Sequence, residues 1–313
     1  MKKTQRTPIS RRHFIQTSAV AGAALLGSVP ALRSFADAVA PAGTPARTAV
    51  DQVPLGKTGL HICRLGIGTG TDGGRTQHAL GKSGFIDLIH YAYDHGVTYI
   101  DAAQAYATFP WVADAINGLP REKLFIQSKI MGVPGDALAT IDYHRKIFNT
   151  DYVDSMLVHC MINHDWTDEW KRAMDGFSEA KEKKWIRAKG VSCHSLPALR
   201  TANASDWNDV HLVRVNPQGQ RIDGLAEEVQ PEGNPKYDVS PVMAEIKSMH
   251  AKGRGIIGMK IIGDGAFVNP EDREKSIRFA MACKDIDAIV IGFTKKEHLD
   301  EAIERMNRAL KEV

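Results

Sequence analysis

From residue 61 onward this chain of 313 residues alternates short apolar runs with amphipathic stretches, and the alternation repeats eight times. The strand candidates are 61–67, 98–101, 123–128, 152–158, 186–191, 210–215, 255–260 and 286–291. Helix candidates fall between them, near 81–94, 109–117, 137–149, 167–182, 196–204, 241–251, 271–283 and 295–311. Runs such as SMLVH at 155–159 and AIVIG at 288–292 are apolar without alternation, as strands covered on both faces are. The helical stretches are striped instead: Val242, Ile246 and Met249 share one face between polar neighbours. Eight such units predict an α/β fold of the (β/α)8 TIM-barrel type. A doubly wound sheet would leave units unplaced and would want a Gly-x-Gly-x-x-Gly turn, which glycines 66, 68, 70, 73 and 74 do not supply. Residues 52–62 read as an N-terminal hairpin turning at Gly56-Lys57-Thr58-Gly59. Ser240-Pro241 and Asn269-Pro270 read as N-cap followed by proline, and Thr294 with Glu297 as a capping box.

The N-terminus has a different character. Ser10-Arg11-Arg12-His13-Phe14-Ile15 precedes a weakly hydrophobic stretch, Ala19–Leu32, and a small-residue site at Ala36-Asp37-Ala38. The apolar stretch is shorter than the roughly 20 residues of a spanning helix and is broken by Pro30. Residues 1–38 therefore read as a cleaved twin-arginine (Tat) signal peptide, 39–52 as a flexible linker, and 53–313 as the barrel. The expectation is a chain that engages the twin-arginine machinery and crosses the membrane already folded. It would function in the periplasm, or outside the cytoplasm generally, with no stable membrane insertion of the mature chain. Of 40 basic and 37 acidic side chains, six and one lie in the signal, so the formal charge falls from +3 to about −2 without it. A nucleic-acid partner is not implied, and the basic run 181–187 reads as a solvated helix end. Cys63, Cys160, Cys193 and Cys283 are expected as free thiols, because folding precedes export from a reducing compartment.

Chemistry gathers where strands run out. Asp101 and Tyr106 bracket DAAQAY after the second strand, Lys129 ends FIQSK in the third and His159 ends SMLVH in the fourth. In one parallel barrel these ends share one mouth. A phenol beside an ammonium is equipped to protonate a carbonyl oxygen while hydride reaches the carbon.

With LGKTGLHICRLGIGTG at the entry, DAAQAY, IQSK, YVDSMLVH, IRAKGVS and IVIGFTKKEHLDEA in order, residues 53–311 resemble the aldo-keto reductase superfamily. The resemblance implies reversible reduction of an aldehyde or ketone to an alcohol with a nicotinamide dinucleotide bound in extended form. A small carbonyl or alcohol is then the substrate, and a monomer the default state. Asp101, Tyr106, Lys129 and His159 match the family's catalytic tetrad, with Tyr106 as general acid and base, Lys129 favouring its phenolate and Asp101 holding the lysine. His159 would orient the substrate oxygen, which it and Tyr106 would stabilise as charge develops.

The resemblance also implies a cofactor set: Gly68, Thr69, Asp101, Ser192, Cys193, Arg214, Met259, Lys260, Ile262, Gly263, Gly292, Thr294, Lys295, His298 and Glu301. Three positions depart from the common pattern, with Cys193 in place of Asn, Arg214 in place of Gln, and Met259 in place of a stacking Tyr. An inward Arg214 must meet an anion: a substrate carboxylate, the cofactor, or a glutamate of the loop 217–238. Lys295, Lys296 and His298 favour NADP(H) over NAD(H).

Two other readings compete. Cys160 beside His159 and Cys193 beside His194 suggest a metal cluster, but neighbours on a strand face opposite ways and no CxxC or HExxH occurs, so no metal is expected. An exported barrel used as a non-catalytic ligand-binding or accessory protein is the other alternative. Substrate size would be set by loops 129–136, 217–238 and 263–269, the second polar enough for a lid. Trp111 and Trp166 are candidates for an aromatic pocket wall or for a rim cover.

Overall fold

The computed structural model describes residues 47–313, so the twin-arginine segment and most of the expected linker lie outside the described residues. The described chain opens with two short strands, β1 (Gln52–Pro54) and β2 (His61–Cys63), paired antiparallel. The first half of the barrel follows as β3 (Leu65–Gly68), α1 (Arg75–His78), α2 (Gly81–Asp94), β4 (Tyr99–Asp101), α3 (Phe109–Ile116), β5 (Phe125–Ile130) and α4 (Ala137–Ile147). Next come β6 (Val153–Met161), α5 (Trp166–Glu182), β7 (Ile186–Cys193), α6 (Leu196–Ala204) and β8 (Val210–Arg214). The chain ends with α7 (Ser240–Ala251), β9 (Gly255–Met259), α8 (Pro270–Ala282), β10 (Ala288–Gly292) and α9 (Lys296–Leu310). Strands β3 to β10 close on themselves as a parallel barrel in the order β10-β3-β4-β5-β6-β7-β8-β9.

The run 61–67, expected as one barrel strand, is two. His61–Cys63 belongs to the hairpin and the barrel begins at Leu65. The chain changes sheets at Arg64, where Arg64 N donates to Asp51 O (3.0 Å) and Leu65 N to Ala49 O (2.9 Å). The end of the expected linker is therefore packed: Ala49 is buried and its N–H donates to Asn307 Oδ1 of α9 at 2.7 Å. Two expected caps also differ. Val239 holds the N-cap position of α7, while Ser240 is its first residue and donates to Asp238 Oδ1. Lys295 precedes α9 without a side-chain cap bond, so Thr294 is not a capping residue. The caps that do form are Asp136, accepting from Ala139 N at 2.9 Å, and Ser195, accepting from Ala198 N at 3.1 Å.

Two layers of apolar packing hold the barrel. Helices press their stripes onto its outside, as α5 does with Trp166, Trp170, Ala173, Phe177 and Ala180, spaced alternately four and three residues apart. Each large side chain so buried contributes about 1.5–3 kcal/mol. Inside, the lower half is filled by Tyr99, Phe125, Leu157 and Leu212, and the hairpin closes the floor with Leu55 and Ile62. Gly66 leaves the space that the Tyr99 ring occupies, and Gly255 leaves that of Leu55. Within the barrel lumen, this plug leaves space only toward the C-terminal mouth.

Two buried histidines outside the mouth make stability depend on pH. His144 on α4, hydrogen-bonded through Nδ1 to Ser128 Oγ at 2.9 Å, is lowered by burial from 6.5 to about 4. His211 on β8 is lowered by burial to about 3. Both rings stay neutral in the fold while the unfolded chain takes up protons below 6.5. Their contribution is complete above that pH and falls as the pH drops toward the folded values. The shift at His144 corresponds to about 3 kcal/mol. Urea unfolding of the signal-free protein should show stability decreasing from pH 7 to pH 4.5, and His144→Gln should flatten that slope; an unchanged slope would contradict the assignment.

Candidate active site

Register places the reactive side chains. Asp101 at the end of β4 lies opposite Gln127 of β5, and Lys129 stands two residues further on the same face. Lys129, with no exposed surface, sets its Nζ 2.7 Å from Asp101 Oδ1 and 2.8 Å from Oδ2. Its remaining protons reach Ala102 O at 2.9 Å and the Tyr106 hydroxyl at 3.2 Å. Gln127 Nε2 donates to Asp101 Oδ1 at 2.8 Å and to Tyr99 OH at 2.9 Å, fixing the carboxylate from below. Gln127 was not anticipated from sequence, although it sits two residues before Lys129 and alternation puts both in the lumen.

Tyr106 lies beyond β4 on the segment leading to α3. Gly70 and Gly74 make room for it: a Cβ on Gly70 would enter its ring, and one on Gly74 would press on its Cβ. His159 meets the Tyr106 ring edge-on, with centroids 5.5 Å apart. Beyond His159 the β6–β7 register shifts, and Cys160 takes a left-handed backbone with φ of 67°. Asp101, Tyr106, Lys129 and His159 are thus brought together.

Their electrostatics follow from burial. Burial pushes the Tyr106 phenol well above 10, with Asp101 adding to it, the direction opposite to that expected from Lys129 alone. Burial lowers the Lys129 ammonium from 10.5 while Asp101 opposes the change. His159 is driven well below 6.5 by burial, then by Lys129 and Lys260, so its ring is neutral. Its Nδ1 and the Ser192 hydroxyl, opposite it across the β6–β7 pairing, are buried without a protein partner.

A cavity of about 500 Å³ runs from Asp101 and Tyr106 along the ends of β9 and β10 to α9. Of the sequence-predicted cofactor residues, Gly68, Met259, Lys260, Ile262 and Gly292 line it, as do Thr294, His298 and Glu301 farther along. Lys260, at φ of 60°, reaches Asp264 at 2.7 Å. At the far end Glu301 accepts from Arg273 Nε at 2.9 Å and Arg305 Nε at 2.7 Å. Sequence reasoning missed both arginines, because they lie on helices whose relative placement only the fold supplies.

The other predicted cofactor positions stand apart from this cavity's lining. Thr69 is buried, donating to Asp101 O at 2.9 Å. Gly263 is buried with φ of 60°, and Lys295 is exposed at the foot of α9. Cys193 is buried in the layer between barrel and helices, because its neighbour Ser192 takes the lumen side. Arg214 is committed within the protein: Nε donates to Asp223 Oδ1 at 2.5 Å, and the two terminal nitrogens to Val229 O and His194 O. Its anion is thus a loop aspartate, and not the loop glutamate, substrate carboxylate or cofactor that the sequence suggests. Burial raises Asp223 to about 6 against the pull of Arg214.

Trp166 is a core residue, donating to Ala198 O at 3.2 Å. Trp111 stacks on His78 at 4.1 Å, and neither tryptophan lines the cavity. The four cysteines are free thiols. Cys160 Sγ lies 3.4 Å from His194 Nδ1, but no group of three or more candidate metal ligands forms among the described residues. No helix among the described residues is long and apolar enough to cross a membrane.

Residues 64–312 match the model of the Aldo/keto reductase family, and residues 8–27 match that of the twin-arginine translocation pathway signal sequence. The chain belongs to the aldo/keto reductase family, an oxidoreductase superfamily, and carries a twin-arginine export signal. Among curated proteins it is similar to a Glycine max protein named as an aldo-keto reductase, 26% identical over 50% of this chain and 48% of the relative. It is also similar to the NADPH-dependent alpha-keto amide reductase of Saccharomyces cerevisiae, 35% identical over 30% of this chain and 32% of that protein. These matched stretches thus span about half or less of their relatives. A solved aldo-keto reductase structure from Pseudomonas aeruginosa shares the fold at TM-score 0.66 and 23% identity, covering 84% of this chain and 97% of that one. One from Bacillus halodurans does so at TM-score 0.65 and 12% identity, covering 85% and 96%.

The Arg214–Asp223 pair ties the loop after β8 to the barrel. Arg214→Ala would leave Asp223 buried and unpaired, at a cost of about 3–5 kcal/mol. Because the fold then favours the protonated carboxyl, the destabilisation should be larger at pH 8 than at pH 5; equal losses in urea unfolding at both pH values would refute this.

Proposed function

We propose that this protein is an NAD(P)H-dependent aldo-keto reductase that reduces an aldehyde or ketone to an alcohol, reversibly, with Tyr106 as proton donor and acceptor. The observation that carries the reading is the buried Asp101–Lys129–Tyr106 chain facing a neutral His159 at the head of an extended cavity. A bound nicotinamide would supply the hydride. Residues at the mouth fit such a group: the buried, unpartnered Ser192 hydroxyl beside His159 suits its carboxamide, and Met259 on the cavity wall offers an apolar cover.

The chain's own part is proton handling and orientation. Tyr106, held protonated by burial, gives its proton to the carbonyl oxygen as charge develops there. Lys129 steadies the phenolate left behind, and Asp101, fixed by Gln127, keeps the ammonium in place. His159, neutral, directs the same oxygen and sets which face of the carbonyl is presented. Alcohol oxidation runs these roles in reverse. Asp101 and the cavity residues Gly68, Met259, Lys260, Ile262, Gly292, Thr294, His298 and Glu301 are the cofactor contacts proposed, with Ser192. NADP(H) is favoured over NAD(H) in this reading because Arg273, Arg305 and His298 line the far end of the cavity and can meet an added phosphate, the arginines being held there by Glu301 and, for Arg305, also by Glu274. The twin-arginine signal supports a site of action outside the cytoplasm, and the reading takes this to be the periplasm, with a small carbonyl or alcohol as substrate and a monomer as the working state.

The reading is tested by nicotinamide fluorescence with signal-free protein, alongside steady-state kinetics. Tyr106→Phe should lower kcat at least 100-fold while the dinucleotide Kd moves less than about threefold; wild-type turnover in the variant would overturn the assignment. Arg305→Ala should weaken NADPH binding about tenfold and leave NADH nearly unchanged. Equal losses for both would remove the case for NADP preference.

A further inference from the structure

Residues 70–77, between β3 and α2, pack against Tyr106 and against Gly292 of β10. They are seated against both ends of the reaction path. At one end Gly70 lies against the Tyr106 ring, Gly74 against its Cβ, and Ala107 N donates to Gly73 O at 3.0 Å. At the other, Gly292 has no room for a Cβ because Thr71 Oγ1 and the Gln77 amide occupy that space. Between these anchors Gly70, Thr71 and Thr76 line the cavity, as do Asp264, Gly265 and Phe267 of the segment after β9.

One buried side chain ties this segment to β10. Gln77, 2% exposed, donates from Nε2 to Thr71 Oγ1 at 2.9 Å and to Phe293 O at 3.5 Å. Its Oε1 accepts from Thr71 N at 3.2 Å. Gln77 does not itself line the cavity, and the segment it holds is irregular, with φ of 52° at Asp72 and 64° at Gly73. Asp72 and Arg75 pair within the segment, but Gln77 is the side chain that ties it to the end of β10, through Phe293 O, and to its own start, through Thr71.

We infer that residues 70–77 are a strap over the dinucleotide path and that Gln77 is its pin, a positioning residue that slows release of the bound dinucleotide. This rests on the reading that the cavity takes a nicotinamide dinucleotide. A protein exported in the folded state has reason for such a device, since a dinucleotide lost outside the cytoplasm is diluted away. The same pin sets where Gly70 and Gly74 lie, so it bears on the seat of Tyr106 as well.

The experiment is a displacement measurement: signal-free protein loaded with NADPH, chased with excess NADP⁺, and followed by nicotinamide fluorescence. Gln77→Met keeps the volume and removes the three hydrogen bonds, and Thr71→Val removes one of them. The expected result is release about tenfold faster in Gln77→Met and faster by less in Thr71→Val, with association rates near wild type. Trypsin gives a second readout at Arg75, which lies within the strap and is exposed. NADPH should protect this bond in wild type, and Gln77→Met should weaken the protection. Identical release rates and identical Arg75 protection in folded wild type and both variants would overturn the strap. Absence of NADPH and NADH binding to wild type would instead overturn the proposed function, and the strap with it.

Discussion

A lysine ammonium with no exposed surface survives inside the barrel only because three acceptors surround it: Asp101, the Ala102 carbonyl and the Tyr106 hydroxyl. Removing such a charge from water costs several kcal/mol, and the interior attraction offsets that cost only with good geometry on every proton. Much of the mouth is arranged to provide it. Gln127 holds the carboxylate, and the parallel register sets Lys129 two residues above Gln127, so the pairing of β4 with β5 and the ion pair imply one another. The floor plug of Leu55, Ile62 and Tyr99 keeps water from reaching the pair from below.

The same low-dielectric setting gives each neighbour its state. His159 is neutral because two ammonium groups and burial act on it together, and Tyr106 keeps its proton because burial and Asp101 act in one direction. In the proposed reaction a neutral imidazole and a protonated phenol, side by side, would offer two donors to a carbonyl oxygen gaining charge. The lysine's influence in that reaction would fall on the phenolate left after transfer, more than on the resting phenol.

Periodicity made the barrel legible, because continuous apolar runs and striped helices are local properties of sequence. The hairpin turn at Gly56–Gly59 and most helix limits were readable for the same reason. The division of 61–67 was not: nothing in HICRLGI announces that Arg64 passes the chain from one sheet to another, since the reason is the docking of Ala49 and Asp51. Asp101, Tyr106, Lys129 and His159 were identifiable at strand ends. Gln127, Gln77, Arg273 and Arg305 were not, because each acts through a partner distant in sequence. Cys193 shows the opposite error, a residue credited to the mouth that the alternation of β7 turns toward the helices.

The departures from the common family pattern are not scattered. Arg214 and Met259 are register partners on β8 and β9, so the change to a charged residue and the loss of an aromatic one occur side by side. Arg214 does not extend into the cavity; it reaches Asp223, Val229 and the His194 carbonyl, which draws the loop after β8 against the end of β7. Met259 remains on the cavity wall, where a flexible thioether can cover a flat ring without fixing its orientation. A glutamine at 214 would have given the lumen an amide and left the loop untied. The arginine ties the loop and gives up the amide, leaving Ser192 as the buried hydroxyl on that side without a protein partner. Placement of a nicotinamide ring in this mouth would therefore depend less on side chains that grip it and more on the walls that confine it, held by Gln77 through Phe293 and by Arg273 through Phe267 and Val268.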